Sequence, residues 1–226
     1  MSTAKQFPVY VWEAPVRIWH WVMTLSMVVL VPTGYLIGSP TPSVGGEAIE
    51  HFGFGYIRFA HFAAAYVFAV MFVLRVFWAF VGNRFAREIF LVPLRLFSLA
   101  WWRGLFSQTK YYLFLTPTAQ PWQGHNPLAM AAMFFMYVLG TVFMICTGFA
   151  LYGEGLGMNS WAFIGFSSWV LPLLGYSQNV HTLHHLGMWY LIMFTIAHLY
   201  MVVREDISSG ETVVSTMING WRVEKP

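Results

Sequence analysis

Four apolar runs dominate the chain, at about Val16–Ile37, Tyr56–Val81, Leu128–Tyr152 and Val180–Val203. About 20 residues rising 1.5 Å each cover the hydrocarbon core of a bilayer, so the pattern predicts four transmembrane helices joined by more polar segments. The first run does not read as a cleavable signal. It is too long, has a weakly charged lead-in, and is followed by Ser39-Pro40-Thr41-Pro42 with no small-residue cleavage site. Two further apolar stretches read differently. Trp161–Tyr176 is short and carries Pro172, which suggests an interfacial segment. Ile89–Phe106 mixes Arg95 and Arg103 with Trp101 and Trp102, which suits an amphipathic helix lying on the cytoplasmic surface of the membrane. With no internal repeat, low-complexity run or second domain, residues 1–226 read as one membrane domain of all-α class, a four-helix transmembrane bundle.

Composition explains why these runs must meet lipid. Only 9% of the 226 residues are charged, while 58% are hydrophobic and 19% aromatic. Soluble domains carry about 25% charged residues. A chain this apolar cannot cover a water-facing surface, which excludes a typical soluble enzyme, a disordered tail and a nucleic-acid partner despite the net charge of +3. Where the cations lie is more informative than their number. Lys5 and Arg17 precede the first span, Arg84, Arg87, Arg95, Arg103 and Lys110 lie between the second and third, and Arg204, Arg222 and Lys225 follow the fourth. The alternate loops, 38–55 and 153–179, hold no Lys or Arg and only Glu47, Glu50 and Glu154. The positive-inside rule then places both termini of a multi-pass membrane protein in the cytoplasm.

The histidines carry the chemistry, because an ionisable group inside a span is costly and marks function by default. His20 and His198 lie near the cytoplasmic ends of the first and fourth spans, while His61 and His184 lie about one turn inside the outer ends of the second and fourth. Helical phase agrees with depth. His184 and His198 are fourteen residues apart, about four turns, and share a face with ~21 Å of rise between them. His185 falls about 140° and His181 about 100° out of that phase. Two sites, each made of a pair of imidazoles between helices, are the arrangement expected of two bis-histidine haems, with outer pair His61/His184 and inner pair His20/His198.

The arginines support the same reading. Arg17 and Arg58 stand three residues before His20 and His61, on the histidine's own face. Arg75 is fourteen residues after His61, at the depth of the inner pair. Haem propionates need such cationic partners, although Arg75 snorkelling to the headgroups is a competing account. Single histidines can also serve as hydrogen-bonded helix contacts, and His181, His184 and His185 could cluster round zinc or copper, which leaves His20 and His198 unexplained. Gly34, Gly140 and Gly148 read as close helix contacts, with Gly34 also able to make room for the outer porphyrin. The single cysteine, Cys146, and the absence of C-x-x-C-H exclude covalent c-type haem and any iron–sulfur cluster, so the haems would be non-covalent b-type.

Arg17-Ile18-Trp19-His20-Trp21 running to Thr33-Gly34, and His181-Thr182-Leu183-His184-His185-Leu186-Gly187 running to His198, resemble the two signatures of the b-type cytochrome subunit of membrane-bound nickel–iron hydrogenases. Gly124-His125-Asn126-Pro127-Leu128-Ala129 and Arg204-Glu205-Asp206 are similar to that subunit as well, so the likeness covers about Val11 to Trp221. Pro32 departs from it where an aliphatic residue is usual, which bears on local helix shape. The resemblance implies an electron conduit. A periplasmic hydrogenase would oxidise hydrogen, with a nickel–iron large subunit and an iron–sulfur small subunit anchored by its own C-terminal membrane helix. Electrons would reach the outer haem, then the inner haem, then a quinone, placed here beside His125 and Asn126 at the cytoplasmic mouth of the third span. Asn126 and Pro127 also read as the N-cap and first residue of a helix. The cytochrome subunit of membrane formate dehydrogenases is a more distant likeness, and a non-redox metal or haem transporter or membrane anchor is the alternative from another class.

Overall fold

The computed structural model describes residues 8–42, 51–117, 122 and 124–223. The expectations that rest on Lys5, Glu47, Glu50, Lys225 and the two chain ends lie outside the described residues. Four helices are long and apolar enough to cross a membrane: α1 (Ala14–Gly38), α2 (Gly53–Val81), α5 (Pro127–Leu156) and α7 (Ser177–Ser208). Each includes the run expected from the sequence and extends it by polar or small residues at one or both ends. Large apolar side chains such as Leu25, Val28, Val73, Phe77 and Ile196 stand exposed on these helices. That much contiguous apolar surface is tolerable only under lipid.

The remaining elements are short. Arg84–Arg95 (α3) and Leu99–Tyr112 (α4) meet at 107°. The sequence pattern had suggested one helix over Ile89–Phe106. It is divided because Ser98 takes an extended conformation and its hydroxyl accepts from Trp101 N, starting a new helix. Asn83 caps α3 likewise, accepting from Ala86 N at 3.0 Å. The stretch expected to lie at the interface forms a short helix, α6 (Phe163–Leu174), held against α5. There Ser167 donates to Ala150 O at 2.6 Å, and Val170 joins Ala150 and Val180 in one buried cluster. Helix α1 continues through Pro32, and α5 contains a π-helical segment at Ala132–Val138.

The chain divides into two compact units, and each long helix contributes a segment to both. The first comprises Met1–His20, Leu74–Val138 and Met193–Pro226. Its edge is closed by a two-residue antiparallel pair, β1 (Val9–Tyr10) with β2 (Trp221–Arg222), preceded by α8 (Thr216–Asn219). Gly220 joins α8 to β2 at φ 87, and its carbonyl accepts from Val11 N and Trp12 N. A Cβ there would stand 2.6 Å from Trp12 O, so only glycine permits the turn. Arg204 donates to the carbonyls of Tyr111 and Tyr112 at 2.8 and 3.0 Å, satisfying the C-terminal end of α4. The second unit comprises Trp21–Val73 and Leu139–Ile192.

Candidate functional site

In the second unit, segments of the four long helices line a partly open cavity of about 800 Å³, within the ~300–1,000 Å³ range typical of small-molecule and cofactor sites. His61 on α2 and His184 on α7 both line it, with Arg58 at the same wall and mostly apolar side chains elsewhere. Both histidines are tied back by threonine. His61 Nδ1 lies 3.0 Å from Thr33 Oγ1, and His184 Nδ1 lies 2.8 Å from Thr147 Oγ1. A hydrogen bond at Nδ1 leaves Nε2 as the nitrogen available to a ligand or metal. His181 and His185 also line the cavity, so lining alone does not separate them from His184. Their anchoring does. His185 packs at Gly38 and near the rings of Tyr35 and Trp189, and exposed His181 turns its Nδ1 to Ser177 O at 3.1 Å. Among the described residues no three His, Cys, Asp or Glu converge as a metal-holding group, so the competing zinc or copper cluster finds no support.

In the first unit the imidazoles of His20 and His198 stand with ring centroids 6.4 Å apart, their planes at 50°. A metal–imidazole nitrogen bond is ~2.0–2.1 Å, so with about 1.2 Å from nitrogen to ring centre, two imidazoles flanking one metal have centroids roughly 6.4 Å apart. The observed spacing has room for one such atom. Phe194, one turn before His198, stacks on its ring at 5.7 Å. Arg75 lies in the same unit at 2% exposure, over the rings of Trp19 and Phe90 at 5.2 and 5.1 Å. Nη2 donates to Ala86 O, but Nε and Nη1 have no hydrogen-bond partner among the described residues. Among the described residues no carboxylate pairs with this buried guanidinium to offset its desolvation. Its two unpartnered nitrogens suit an anionic group of a bound cofactor. Arg17 is engaged differently, donating to the carbonyl of Ile218.

His125 and Asn126 sit in the first unit beside the start of α5. Asn126 is 7% exposed and caps the helix, its side-chain oxygen accepting from Ala129 N at 2.7 Å, with Pro127 as the first helical residue. His125 is oriented from elsewhere. Its backbone N–H donates to Glu88 Oε2 at 3.0 Å, its Nδ1 lies 3.3 Å from the same oxygen, and its ring packs on Trp12 at 4.8 Å. Nearby, the Tyr112 hydroxyl donates to Glu205 at 3.3 Å. Burial, with the Glu205 carboxylate adding to it, pushes the Tyr112 phenol up, so it keeps its proton.

Three partners were not foreseen from the sequence: Thr33 on His61, Thr147 on His184 and Glu88 on His125. Thr147-Gly148 repeats the dipeptide Thr33-Gly34, and that repetition is the one signal in the sequence that could have singled it out. Glu88 is 37 residues from His125 and carries no local signature.

Residues 11–220 match the model of the prokaryotic cytochrome b561 family. The probable Ni/Fe-hydrogenase B-type cytochrome subunit of Azotobacter vinelandii is 58% identical over 221 residues, covering 98% of this chain and 91% of the relative. The probable Ni/Fe-hydrogenase B-type cytochrome subunit of Cupriavidus necator is 53% identical, covering 96% and 87%. The probable Ni/Fe-hydrogenase 1 B-type cytochrome subunit of Escherichia coli strain K12 is 50% identical, covering 96% and 91%.

Proposed function

Because the chain belongs to the prokaryotic cytochrome b561 family, we propose that it is a two-haem b-type cytochrome carrying electrons from a nickel–iron hydrogenase to quinone in the bacterial cytoplasmic membrane. The observation that carries this reading is the repeated pairing of inward-turned histidines. His61 and His184 line one cavity with Nδ1 of each engaged, and His20 and His198 face each other at the spacing of two ligands on one metal. When bound, haem iron supplies a one-electron carrier, alternating between ferric and ferrous.

The chain's own residues do the rest. His61 with His184, and His20 with His198, would hold the two irons through their imidazole nitrogens. Arg75, with two unpartnered nitrogens, would neutralise a propionate of the inner haem, Arg58 would serve the outer haem at its cavity wall, and Arg17 would serve the cytoplasmic end of the inner site. The apolar lining excludes water, which keeps the reorganisation accompanying electron exchange small. Hydrogen oxidation releases two electrons and two protons outside; quinone reduction takes up two electrons and two protons, the latter from the cytoplasm, so the transfer is electrogenic. His125, held by Glu88, and Asn126 would border the quinone and offer polar groups to its carbonyl oxygen. The relatives' names support a hydrogenase as donor, with its small subunit docking through a C-terminal membrane helix and its large subunit holding nickel and iron. The complex isolated in mild detergent tests this. The b-type absorption bands should reduce under hydrogen and reoxidise on adding a quinone, with a nickel–iron pair co-purifying. Bands indifferent to hydrogen, or a molybdenum subunit in place of that pair, would overturn it.

A further inference from the structure

His61 and His184 are held in the same way by two different helices. Thr33-Gly34 on α1 faces His61, and Thr147-Gly148 on α5 faces His184. Each threonine hydroxyl lies close to the carbonyl four residues earlier, Thr33 to Val29 O at 2.6 Å and Thr147 to Phe143 O at 2.8 Å. A hydroxyl has one proton to donate. Once that proton is on the helix carbonyl, the threonine oxygen can only accept from the imidazole nitrogen 3.0 or 2.8 Å away. Nδ1 must then carry the hydrogen, and a neutral imidazole with Nδ1–H keeps its lone pair on Nε2. The glycine that follows supplies clearance. A Cβ at Gly34 would stand 3.1 Å from His61 Cε1, and one at Gly148 3.2 Å from His184 Cε1. Without that clearance the rings would be driven off their threonines.

We propose that Thr33-Gly34 and Thr147-Gly148 are matched positioning elements that lock both outer histidines in the Nδ1–H tautomer, aim Nε2 into the cavity, and lower the reduction potential of the iron bound there. The inference rests on His61 and His184 being axial ligands. An acceptor at Nδ1–H draws the proton outward and makes Nε2 more basic, which favours ferric iron. Thr147, buried at 1% exposure, holds its acceptor away from competing water.

Substitutions that separate hydroxyl from shape test the proposal in the purified cytochrome. Thr147→Val keeps the branched shape and removes the acceptor, whereas Thr147→Ser keeps the acceptor and removes a methyl. Redox titration of the outer haem should show a positive shift of its midpoint in Thr147→Val, with haem held about 10–100-fold more weakly. Thr147→Ser should stay near wild type on both readouts. Thr33→Val and Thr33→Ser repeat the comparison on His61 and decide the matter if a Thr147 variant does not assemble. A Val variant with unchanged midpoint and retention, or a Ser variant that shifts as far as Val, would overturn the proposal. His184→Ala separates this failure from failure of the ligand assignment. If His184→Ala keeps the outer haem and its spectrum, the assignment is wrong; if it loses that haem while the Val variants stay silent, only the threonine role is wrong.

Discussion

Replacing Gly148 with alanine should weaken the outer site without unfolding the protein. The new Cβ would come 3.2 Å from Cε1 of His184, roughly 0.3–0.8 Å inside the ~3.5–4.0 Å at which two carbons sit best. The backbone of α5 is a continuous helix at this point and does not yield easily, so the imidazole retreats. Its bond to Thr147, 2.8 Å in the native protein, then stretches toward the ~3.2 Å upper end of ordinary hydrogen bonds. Overpacking of this kind costs about 1–3 kcal/mol. Alanine also returns up to ~1 kcal/mol of helix propensity relative to glycine, so the haem-free protein ends near neutral to about 2 kcal/mol less stable. Holding the iron returns the imidazole to the crowded position, so haem retention bears the steric term, which at about 1–3 kcal/mol corresponds to roughly 5–150-fold weaker binding. Haem-to-protein ratio after detergent washing measures retention, and thermal unfolding of the haem-free protein measures stability. Gly155→Ala, on the same helix with nothing within 4 Å of its Cβ, is the control and should leave haem unaffected. Full retention with an unshifted spectrum in Gly148→Ala, or equal loss in Gly155→Ala, would refute the steric account.

Three further outcomes follow from the geometry. His184→Ala should lose the outer haem while His185→Ala retains it, as resolved by two-component redox titration, because only His184 is braced by a threonine at Nδ1. Arg75→Met should weaken the inner haem and make its midpoint more negative, yet leave the haem-free protein as stable or more so, since a buried cation without its anion is replaced by an apolar chain of similar length. Asn126→Ser should keep the helix cap, which Asn126→Ala loses at about 0.5–2 kcal/mol; impaired quinone reduction in the serine variant, with hydrogen-to-haem electron transfer intact, would separate quinone binding from capping, and normal quinone reduction would leave Asn126 a cap alone.

The long helices were legible because membrane length and hydropathy are local properties of a run, and in the structure each extends its run by only a few residues at one or both ends. The division of Ile89–Phe106 was not legible, since apolar continuity across Leu96–Leu99 hides the single residue, Ser98, that restarts the helix. Depth and helical phase sorted His20, His61, His184 and His198 into pairs that the structure brings together within each unit, because four residues at matched depth on rigid helices have few ways to meet. Phase did not separate His185 from the cavity that His184 lines; the distinction lies in the hydroxyl of a different helix. Partners such as Thr147 and Glu88 depend on contacts between residues 37 apart in both cases, where no periodicity reaches. Spacing set Arg75 level with the inner pair, but its burial depends on Trp19 and Phe90 closing over it, which no spacing reveals.

The central claim is that one chain holds two b-type haems, one between His61 and His184 and one between His20 and His198. A pyridine haemochrome assay on the purified protein, set against its concentration by amino-acid analysis, measures this directly. Two haems b per chain are predicted, falling to one in His61→Ala and to one in His20→Ala. A native value of one or none, or a native value of two that neither substitution changes, would contradict the account.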